Sequence, residues 1–401
     1  MSKFVKLSSI AELTVGFVGT MAKHYEDEGI PFLRSLNIKP FKIISDDMKY
    51  VSAEFSNSLS KSILHKGDVV IVRTGIPGTC CVVPAEYDGC NCSDVVIVHP
   101  NTELVNPHYL AAYINFWGQR QIQNNKVGAI QQHFNVHSAE EMLIFLPDIT
   151  EQEKIAKTIV ALNGKIENNF SVCVELEAMA KTLYDYWFTQ FDFPDENGKP
   201  YCSSGGEMVW NDQLKREIPK GWQVSSIGSV TRNYDSKRVP LSQNERDIMK
   251  GGIPYYGATG IMDYVNRHIF DGQYVLIAED GSVMDVKGNP IVQMIWGKTW
   301  VNNHAHVLQG CNGYSNELLY LLLQHIPVVK IMTGSIQKKI NQDNLNSYKI
   351  PQIPDPISQA FYEIVKPMFE KIQSLQDEND ELTKLRDWLL PVLMNGQATV
   401  E

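Results

Sequence analysis

The stretch GAIQQHFN at residues 128–135 returns as GSIQKKIN at residues 334–341, with Gly, Ile, Gln and Asn in the same places. Two further matches lie upstream in the same order. GIPF at 29–32 corresponds to GIPY at 252–255, and KGD before the apolar run 69–72 corresponds to DGQ before the run 274–277. Similarity that recurs in a fixed order indicates an internal repeat. The sequence therefore predicts two diverged copies of one module.

A long amphipathic helix is predicted after each copy. Apolar residues recur there at steps of three and four, and the polar member of the series is Asn169 in the first helix and Asn379 in the second. The apolar positions are Ile155, Ile159, Leu162, Ile166, Cys173, Leu176, Ala180, Leu183 and Trp187, then Val365, Met368, Ile372, Leu375, Leu382, Leu389 and Leu393. So narrow a heptad seam favours packing of the two helices on each other. The alternative is that each helix lies on its own domain.

Capping signals predict where these helices begin. Thr150 and Glu153 have the spacing of a capping box, in which each side chain binds a backbone amide of the first turn. Asp355 before Pro356 is a cap followed by proline at the first helical position. Between the copies, residues 193–221 are rich in Gly and Pro and are predicted to form a linker.

Short β-branched runs separated by turn residues predict strands at 69–73, 80–83 and 95–98, and again at 274–278, 291–296 and 305–308. The fold class is therefore α+β. A chain of 401 residues with 43% apolar content is long enough for two cores. The first residues lack a signal-type apolar run, and no stretch reaches the length of a membrane span. We expect a cytoplasmic protein.

Motifs that would indicate catalysis or metal binding are weak. No phosphate-binding G-x-x-x-x-G-K-[ST] occurs, and NPHY at 106–109 is better explained as a helix start than as a methyltransferase N-P-P-Y loop. Glu279 and Asp280 with Asp285 and Lys287 resemble a hydrolytic metal site, and His304 and His306 alternate on a strand, but the patterns are short. We predict neither a catalytic nor a metal-binding residue.

Seven cysteines include the cluster Cys80, Cys81, Cys90 and Cys92, which raises the possibility of a zinc site. The spacings differ from the paired C-x2-C of structural zinc sites, and the second copy has no matching set. The pattern favours small core and loop residues.

Charge distribution leaves two function classes open. The net charge of −10 alone disfavours DNA binding and favours a coiled-coil scaffold that binds only proteins. Residues 325–350, however, carry Lys330, Lys338, Lys339 and Lys349 against Asp343 alone, beside an acidic C-terminal helix. This pattern is compatible with a DNA-binding face and a separate protein-binding face.

The block LYDYWFTQFDFP at 183–194, with GKPY at 198–201 and GG before Trp210, resembles the specificity subunit of type I restriction-modification enzymes. The resemblance covers essentially the whole chain. It implies two target recognition domains, held apart by an antiparallel pair of long coiled-coil helices with pseudo-twofold symmetry. The corresponding bounds are recognition domain 1 at 1–148, helix 1 at 149–190, a linker at 191–221, recognition domain 2 at 222–353 and helix 2 at 354–396.

The resemblance also implies partners. Each recognition domain would read one half of a split site in double-stranded DNA. Two methyltransferase subunits would dock on the helices, and motor-endonuclease subunits would join the full assembly. S-adenosylmethionine, ATP and magnesium would belong to those partners, with no cofactor in this chain. A stand-alone nuclease or methyltransferase is the third, weakest alternative.

Base edges are read by forked or bidentate side chains, whereas lysines and backbone amides hold phosphates. The candidates in copy one are Arg34, Asn37, Arg73, Gln131, Gln132 and His133; those in copy two are Arg232, Lys237, Arg238, Asn302, Asn303, Gln337, Lys338 and Lys339. Asn169 and Asn379 would fix the helix register.

Overall fold

The computed structural model describes residues 3–118, 121, 134–334, 338–395 and 397. The chain divides into two compact units. Unit 1 comprises Met1–Asn169 with Glu378–Glu401, and unit 2 comprises Phe170–Asp377. Within the described part, no helix has the length and apolar character needed to cross a bilayer.

Unit 1 is built around an antiparallel sheet with strand order β2-β10-β7-β8. Smaller sheets have the orders β6-β3-β9, β1-β11 and β4-β5. The strands are β1 Lys3–Lys6, β2 Ala11–Val15, β3 Ile30–Leu33, β4 Ile38–Lys39, β5 Lys42–Ile43, β6 Lys49–Val51, β7 Val69–Val72, β8 Cys80–Val82, β9 Asn91–Cys92, β10 Val95–Pro100 and β11 Leu143–Leu146. The short helices are α1 Ala53–Ser58, α2 Pro107–Tyr113 and α3 Val136–Glu140.

The central strands of unit 1 are buried on both faces. Every residue of β7 and the first four of β10 are buried, as continuous β-branched runs predict. On β8, Cys80 packs in one core cluster and Cys81 in another. Successive side chains of a strand point to opposite faces, so these adjacent thiols lie on different sides of the sheet.

Unit 2 repeats this topology. Its strands are β12 Met208–Asn211, β13 Arg216–Pro219, β14 Gln223–Ser226, β15 Thr231–Asn233, β16 Lys250–Tyr256, β17 Ile261–Val265, β18 Phe270–Asp271, β19 Tyr274–Ala278, β20 Val292–Ile295, β21 Lys298–Val301, β22 Ala305–Gly310, β23 Met332–Thr333, β24 Lys339–Ile340 and β25 Lys349–Gln352. The central antiparallel order is β15-β22-β19-β20, and β14 pairs with β25 as β1 pairs with β11.

The second sheet of each unit confirms the repeat. In unit 1, β3 pairs antiparallel with β6 and parallel with β9. In unit 2, β16 pairs antiparallel with β17 and parallel with β21. The matched segments GIPF and GIPY thus occupy corresponding strands.

The helices of unit 2 are α5 Ile227–Val230, α6 Gln243–Ile248, α7 Asn316–Gln324 and α8 Gln342–Ser347. Two long helices, α4 Ile149–Tyr184 and α9 Asp355–Met394, contribute to both units. Within unit 1, Ile155 and Ile159 of α4 share a core cluster with Leu390 and Leu393 of α9. Within unit 2, Tyr184 of α4 shares a cluster with Phe361 and Val365 of α9.

Two expectations about local structure differ from the fold. The first long helix begins at Ile149, and Asp148 accepts a hydrogen bond from the Glu151 amide at 3.0 Å. Asp148 therefore caps the helix, and the predicted Thr150–Glu153 capping box was wrong. The glycine-rich segment between the copies is folded, because β12 pairs with β13 and both Phe193 and Ile218 are buried in the unit 2 core.

Candidate nucleic-acid interface

Five ionisable side chains of unit 2 converge where the central strands end. Glu279, which follows β19, accepts from Arg238 Nη1 at 2.6 Å and lies 2.9 Å from Lys339 Nζ. Asp235, which follows β15, lies 2.5 Å from His306 Nδ1 and 3.3 Å from Arg238 Nη2. We call these five residues the Glu279 cluster. It gathers the sequence candidates Arg238 and Lys339 around carboxylates.

The surroundings of Asp235 and Glu279 favour the ionised forms of these two carboxyl groups. Burial alone would raise the pKa of Asp235 and of Glu279, but hydrogen bonds from His306, and from Arg238 and Lys339, outweigh it and leave both values low. The hydrogen bond to Glu279 raises the pKa of Lys339. Two carboxylates are thus neutralised by protein cations.

Asp235, Glu279 and His306 are also the one group of three potential metal ligands close enough together among the described residues. The group does not fit a metal ion well. Arg238 and Lys339 already lie against Glu279, and His306 Nδ1 faces Asp235. A cation would have to displace these contacts, so the donor set serves an ion-pair network.

The remaining unit 2 candidates differ in exposure. Arg232 on β15 is exposed, as are Lys237, whose ammonium lies 5.2 Å from the Tyr234 ring centre, and Asn303. Lys338 is partly buried, with Nζ 3.8 Å from Met284 Sδ. Asn302 is 3% exposed, and its side chain accepts from the His304 amide. Gln337 lies outside the described residues.

In unit 1, Arg34 and Asn37 organise one loop. Arg34 Nη2 donates to the Asp47 carboxylate at 2.9 Å, and hydrogen bonds from Lys49 and Arg34 lower the pKa of Asp47 to about 2. Asn37 is fully buried, donates to the carbonyls of Ile44 and Asp46, and accepts from the Arg34 amide. In this conformation the Asn37 amide is occupied by the loop itself.

Arg73, directly after β7, donates from Nε to the Phe134 carbonyl at 3.2 Å. Phe134 is the seventh residue of the repeated stretch GAIQQHFN. The candidates Gln131, Gln132 and His133 precede it and lie outside the described residues. Arg73 therefore contacts the end of the segment in which those candidates lie.

The polar residues of the helix seams meet inside unit 1. Asn169 is 1% exposed, and its Nδ2 donates to Asn379 Oδ1 at 2.9 Å and to Glu378 Oε2 at 2.8 Å. Asn379 Nδ2 donates to the Ile166 carbonyl at 3.2 Å.

Asp235 was not predicted from the sequence as a site residue, and Glu279 and His306 were not among the predicted DNA contacts. The alternation of His304 and His306 and the pair Glu279 and Asp280 were visible, but nothing in their spacing brings Asp235, more than forty positions earlier, to the same place. In the cysteine cluster, Cys80, Cys81, Cys90 and Cys92 are buried, and burial raises the pKa of Cys90 to about 11. No group of three ligands that includes a cysteine occurs in the described ranges.

Comparisons with known proteins agree with this duplicated architecture. The family model for the type I restriction modification DNA specificity domain matches twice, at residues 2–177 and 219–384. The type I restriction enzyme MjaIX specificity subunit of Methanocaldococcus jannaschii is 29% identical over 280 residues, which is 65% of this chain but only 62% of that protein. The HindI specificity subunit of Haemophilus influenzae is 22% identical over 423 residues, covering 87% of this chain and 91% of the relative.

A solved structure shares the fold. The S subunit of a type-I restriction-modification system from M. genitalium superimposes with a TM-score of 0.55 at 16% identity, covering 98% of this chain and 96% of the other. The two family matches cover most of the chain, and each contains one copy of the repeated topology. The chain therefore belongs to the type I restriction-modification DNA specificity family, as its sequence predicted.

Proposed function

We propose that this chain is the DNA-recognition subunit of a type I restriction-modification complex, with each unit reading one half of a bipartite target. The observation that carries the proposal is one strand order built twice, β2-β10-β7-β8 and β15-β22-β19-β20, with different chemistry where the strands end. Arg73 follows β7, whereas Glu279 follows β19 and is surrounded by Arg238, His306 and Lys339. Two domains with the same sheet topology but different residues at the strand ends are suited to recognising two different DNA sequences.

The exposed candidates are the proposed contacts with DNA. In unit 2 these are Arg232, Lys237, Asn303 and Lys339, and we add the partly buried Lys338. In copy one the sequence candidates Gln131, Gln132 and His133 keep that role, as does Gln337 in copy two. Arg34, Asn37, Arg238 and Asn302 are held by the protein's own groups. For these four we propose that they shape the loops which present the contacts.

The long helices are proposed to form an antiparallel coiled-coil spacer with pseudo-twofold symmetry. Support comes from contacts inside each unit, Asn169 with Asn379 in unit 1 and Cys173 Sγ with the Ile372 carbonyl in unit 2. From the first pair to the second, the residue number increases on α4, from Asn169 to Cys173, and decreases on α9, from Asn379 to Ile372. This is the order expected of antiparallel helices. A spacer of fixed length would set the gap between half-sites, as dimer geometry does in other DNA-binding proteins.

The partners follow from this proposal. Two methyltransferase subunits would dock on the helices, and motor-endonuclease subunits would complete the complex in the cytoplasm. The chain itself would be non-catalytic. S-adenosylmethionine, ATP and magnesium would be bound by the partners.

Methylome sequencing tests the proposal directly. The chain is co-expressed with its methyltransferase subunit in a host without other methyltransferases, and modified bases are mapped. We expect one bipartite motif with a fixed gap. A gel-shift titration of the assembled complex against salt should show a steep fall in affinity, because bound phosphates release counterions. Absence of both a motif and a salt slope would leave a scaffold that binds only proteins.

A further inference from the structure

The same backbone carbonyl is held by a basic side chain in both copies. Phe134 and Ile340 are the seventh residues of GAIQQHFN and GSIQKKIN. Arg73 Nε donates to the Phe134 carbonyl at 3.2 Å, and His306 Nε2 lies 2.9 Å from the Ile340 carbonyl. The next residue caps a helix in each copy, because Asn135 accepts from the Ser138 amide and Asn341 accepts from the Asn344 amide, both at 2.8 Å.

The two basic residues occupy positions that do not correspond in the repeat: Arg73 directly follows β7, whereas His306 lies on β22. Val69 and Tyr274 are matched by the repeat, so Arg73 corresponds to Ala278, which carries no donor in its side chain. Val72 pairs with Val95 across the sheet, and the matched Ile277 pairs with His306. His306 therefore corresponds to Val95, which is apolar. Copy one has Arg and Val where copy two has Ala and His, yet the carbonyl is held in both.

His306 has a second acceptor on its other side. Its Nδ1 lies 2.5 Å from Asp235 Oδ2 and 3.6 Å from Glu279 Oε2, while Nε2 faces the Ile340 carbonyl. Both ring nitrogens therefore face oxygen atoms, the Asp235 carboxylate on one side and the Ile340 carbonyl on the other.

Neither anchoring side chain is placed as a base reader. His306 is 1% exposed, and Arg73 is only partly exposed with Nε directed to the protein backbone. What each holds is the end of the segment that carries the predicted readers, Gln131 to His133 in one copy and Lys338 and Lys339 in the other. Lys339 also forms an ion pair with the Glu279 carboxylate. The neighbouring Ile340 amide donates to the Glu279 backbone carbonyl at 2.8 Å.

We propose that Arg73 and His306 are positioning residues for DNA reading, each fixing the end of the repeated segment in its own copy without contacting a base. The proposal rests on the proposed function. A side chain that reads a base pair through two hydrogen bonds discriminates well only when its backbone is held in place. Loss of the anchor should therefore relax the reading of one half-site and leave the other half unchanged.

The test uses paired variants in the assembled methyltransferase, with the modified motif read by methylome sequencing. Arg73→Met and His306→Leu remove the side-chain nitrogen that contacts the Phe134 or Ile340 carbonyl. Arg73→Lys and His306→Gln each keep a side-chain N–H donor at that position. Lys220→Met is the matched control, because it also removes a cation. Lys220 directly follows β13 and is far along the chain from both repeated segments. We expect the two donor-removing variants to lower discrimination about tenfold, each in a different half of the motif. The conservative variants should restore it.

Other outcomes are decisive too. Relaxation of the same half by both variants, or an even loss of methylation across both halves, would overturn the assignment, because general destabilisation has no preference for a half-site. If His306→Leu does not assemble, His306→Asn replaces it: its amide can meet Asp235 but is too short to reach the Ile340 carbonyl as well. An unrelaxed motif in that variant also overturns the proposal. Failure of the proposed function is distinct, since the wild-type chain would then produce no bipartite motif.

Discussion

Asn169 Nδ2 donates a hydrogen bond to Asn379 Oδ1 at 2.9 Å, joining the polar positions of two otherwise apolar helix seams. With Asn169 only 1% exposed, removal of one partner leaves buried polar groups without their hydrogen bonds. We predict that Asn169→Leu lowers the free energy of unfolding by about 2 kcal/mol. The measurement is urea unfolding of the full chain, followed by the circular dichroism of its helices.

The double variant separates the pair from its surroundings. Asn169→Leu with Asn379→Leu should recover much of that loss, because an apolar pair replaces a buried polar one, giving a coupling energy in a double-mutant cycle. The control is Asn168→Leu, at an exposed neighbouring position, with little expected change. If the two single changes simply add, Asn169 and Asn379 act independently and have no shared role in helix register.

The repeat, the central strands and the long helices could all be predicted from the sequence. Each depends on local pattern: β7 and β10 are continuous β-branched runs, and the seam residues recur at helical spacing. The capping of α4 by Asp148 was missed because Asp, Thr and Glu near one helix start offer several caps of similar strength.

The candidate site was less predictable, because its contacts join residues far apart in the chain. Asp235 meets His306 across 71 positions, and Arg73 meets Phe134 across 61. No periodicity encodes such pairs. Counting basic residues also overstates the positive surface, since Arg34, Arg238 and Lys339 are each paired with a carboxylate, which becomes visible only once the loops are placed.

Lys338 and Lys339 are expected to contribute to DNA affinity. We predict that Lys338→Ala with Lys339→Ala weakens DNA binding in the assembled methyltransferase and reduces the salt slope by about one to two, because each lost phosphate contact removes about one released counterion. The measurement is a gel-shift titration at several salt concentrations. Lys220→Ala is the control, since that exposed lysine pairs with Glu207 in the β12–β13 hairpin. Unchanged affinity and slope would remove both lysines from the interface.

The cysteine cluster is expected to react slowly with alkylating reagents, and a chelator is expected to leave the stability of the protein unchanged. Cys80, Cys81 and Cys92 are fully buried, and burial raises the pKa of each thiol, so little reactive thiolate forms. The partly exposed Cys202 and Cys311 should react first with iodoacetamide, as followed by peptide mass spectrometry. EDTA should leave the melting temperature unchanged, because Cys80 and Cys81 face different cores. A chelator-dependent fall in melting temperature would reinstate the zinc site.

We expect low pH to destabilise unit 2 because the Asp235 carboxylate becomes protonated. The pKa of this carboxyl is lowered in the folded chain, where burial opposes ionisation but hydrogen bonding to His306 and the Val307 amide outweighs it. A lowered pKa means that the ionised group stabilises the fold at every pH above its unfolded value of about 4, and that this contribution is lost as the pH falls through the folded value. Asp235→Asn should therefore cost about 3 kcal/mol at pH 7 and progressively less as the pH falls from about 4 through the lower pKa of the folded chain, where the wild-type carboxyl also becomes protonated. Hydrogen exchange of the β19 amides reports this destabilisation, and Asp212→Asn, at a side chain that is 87% exposed, is the control. An equal cost of Asp235→Asn at pH 7 and pH 3 would show that the Asp235 charge does not stabilise the Glu279 cluster.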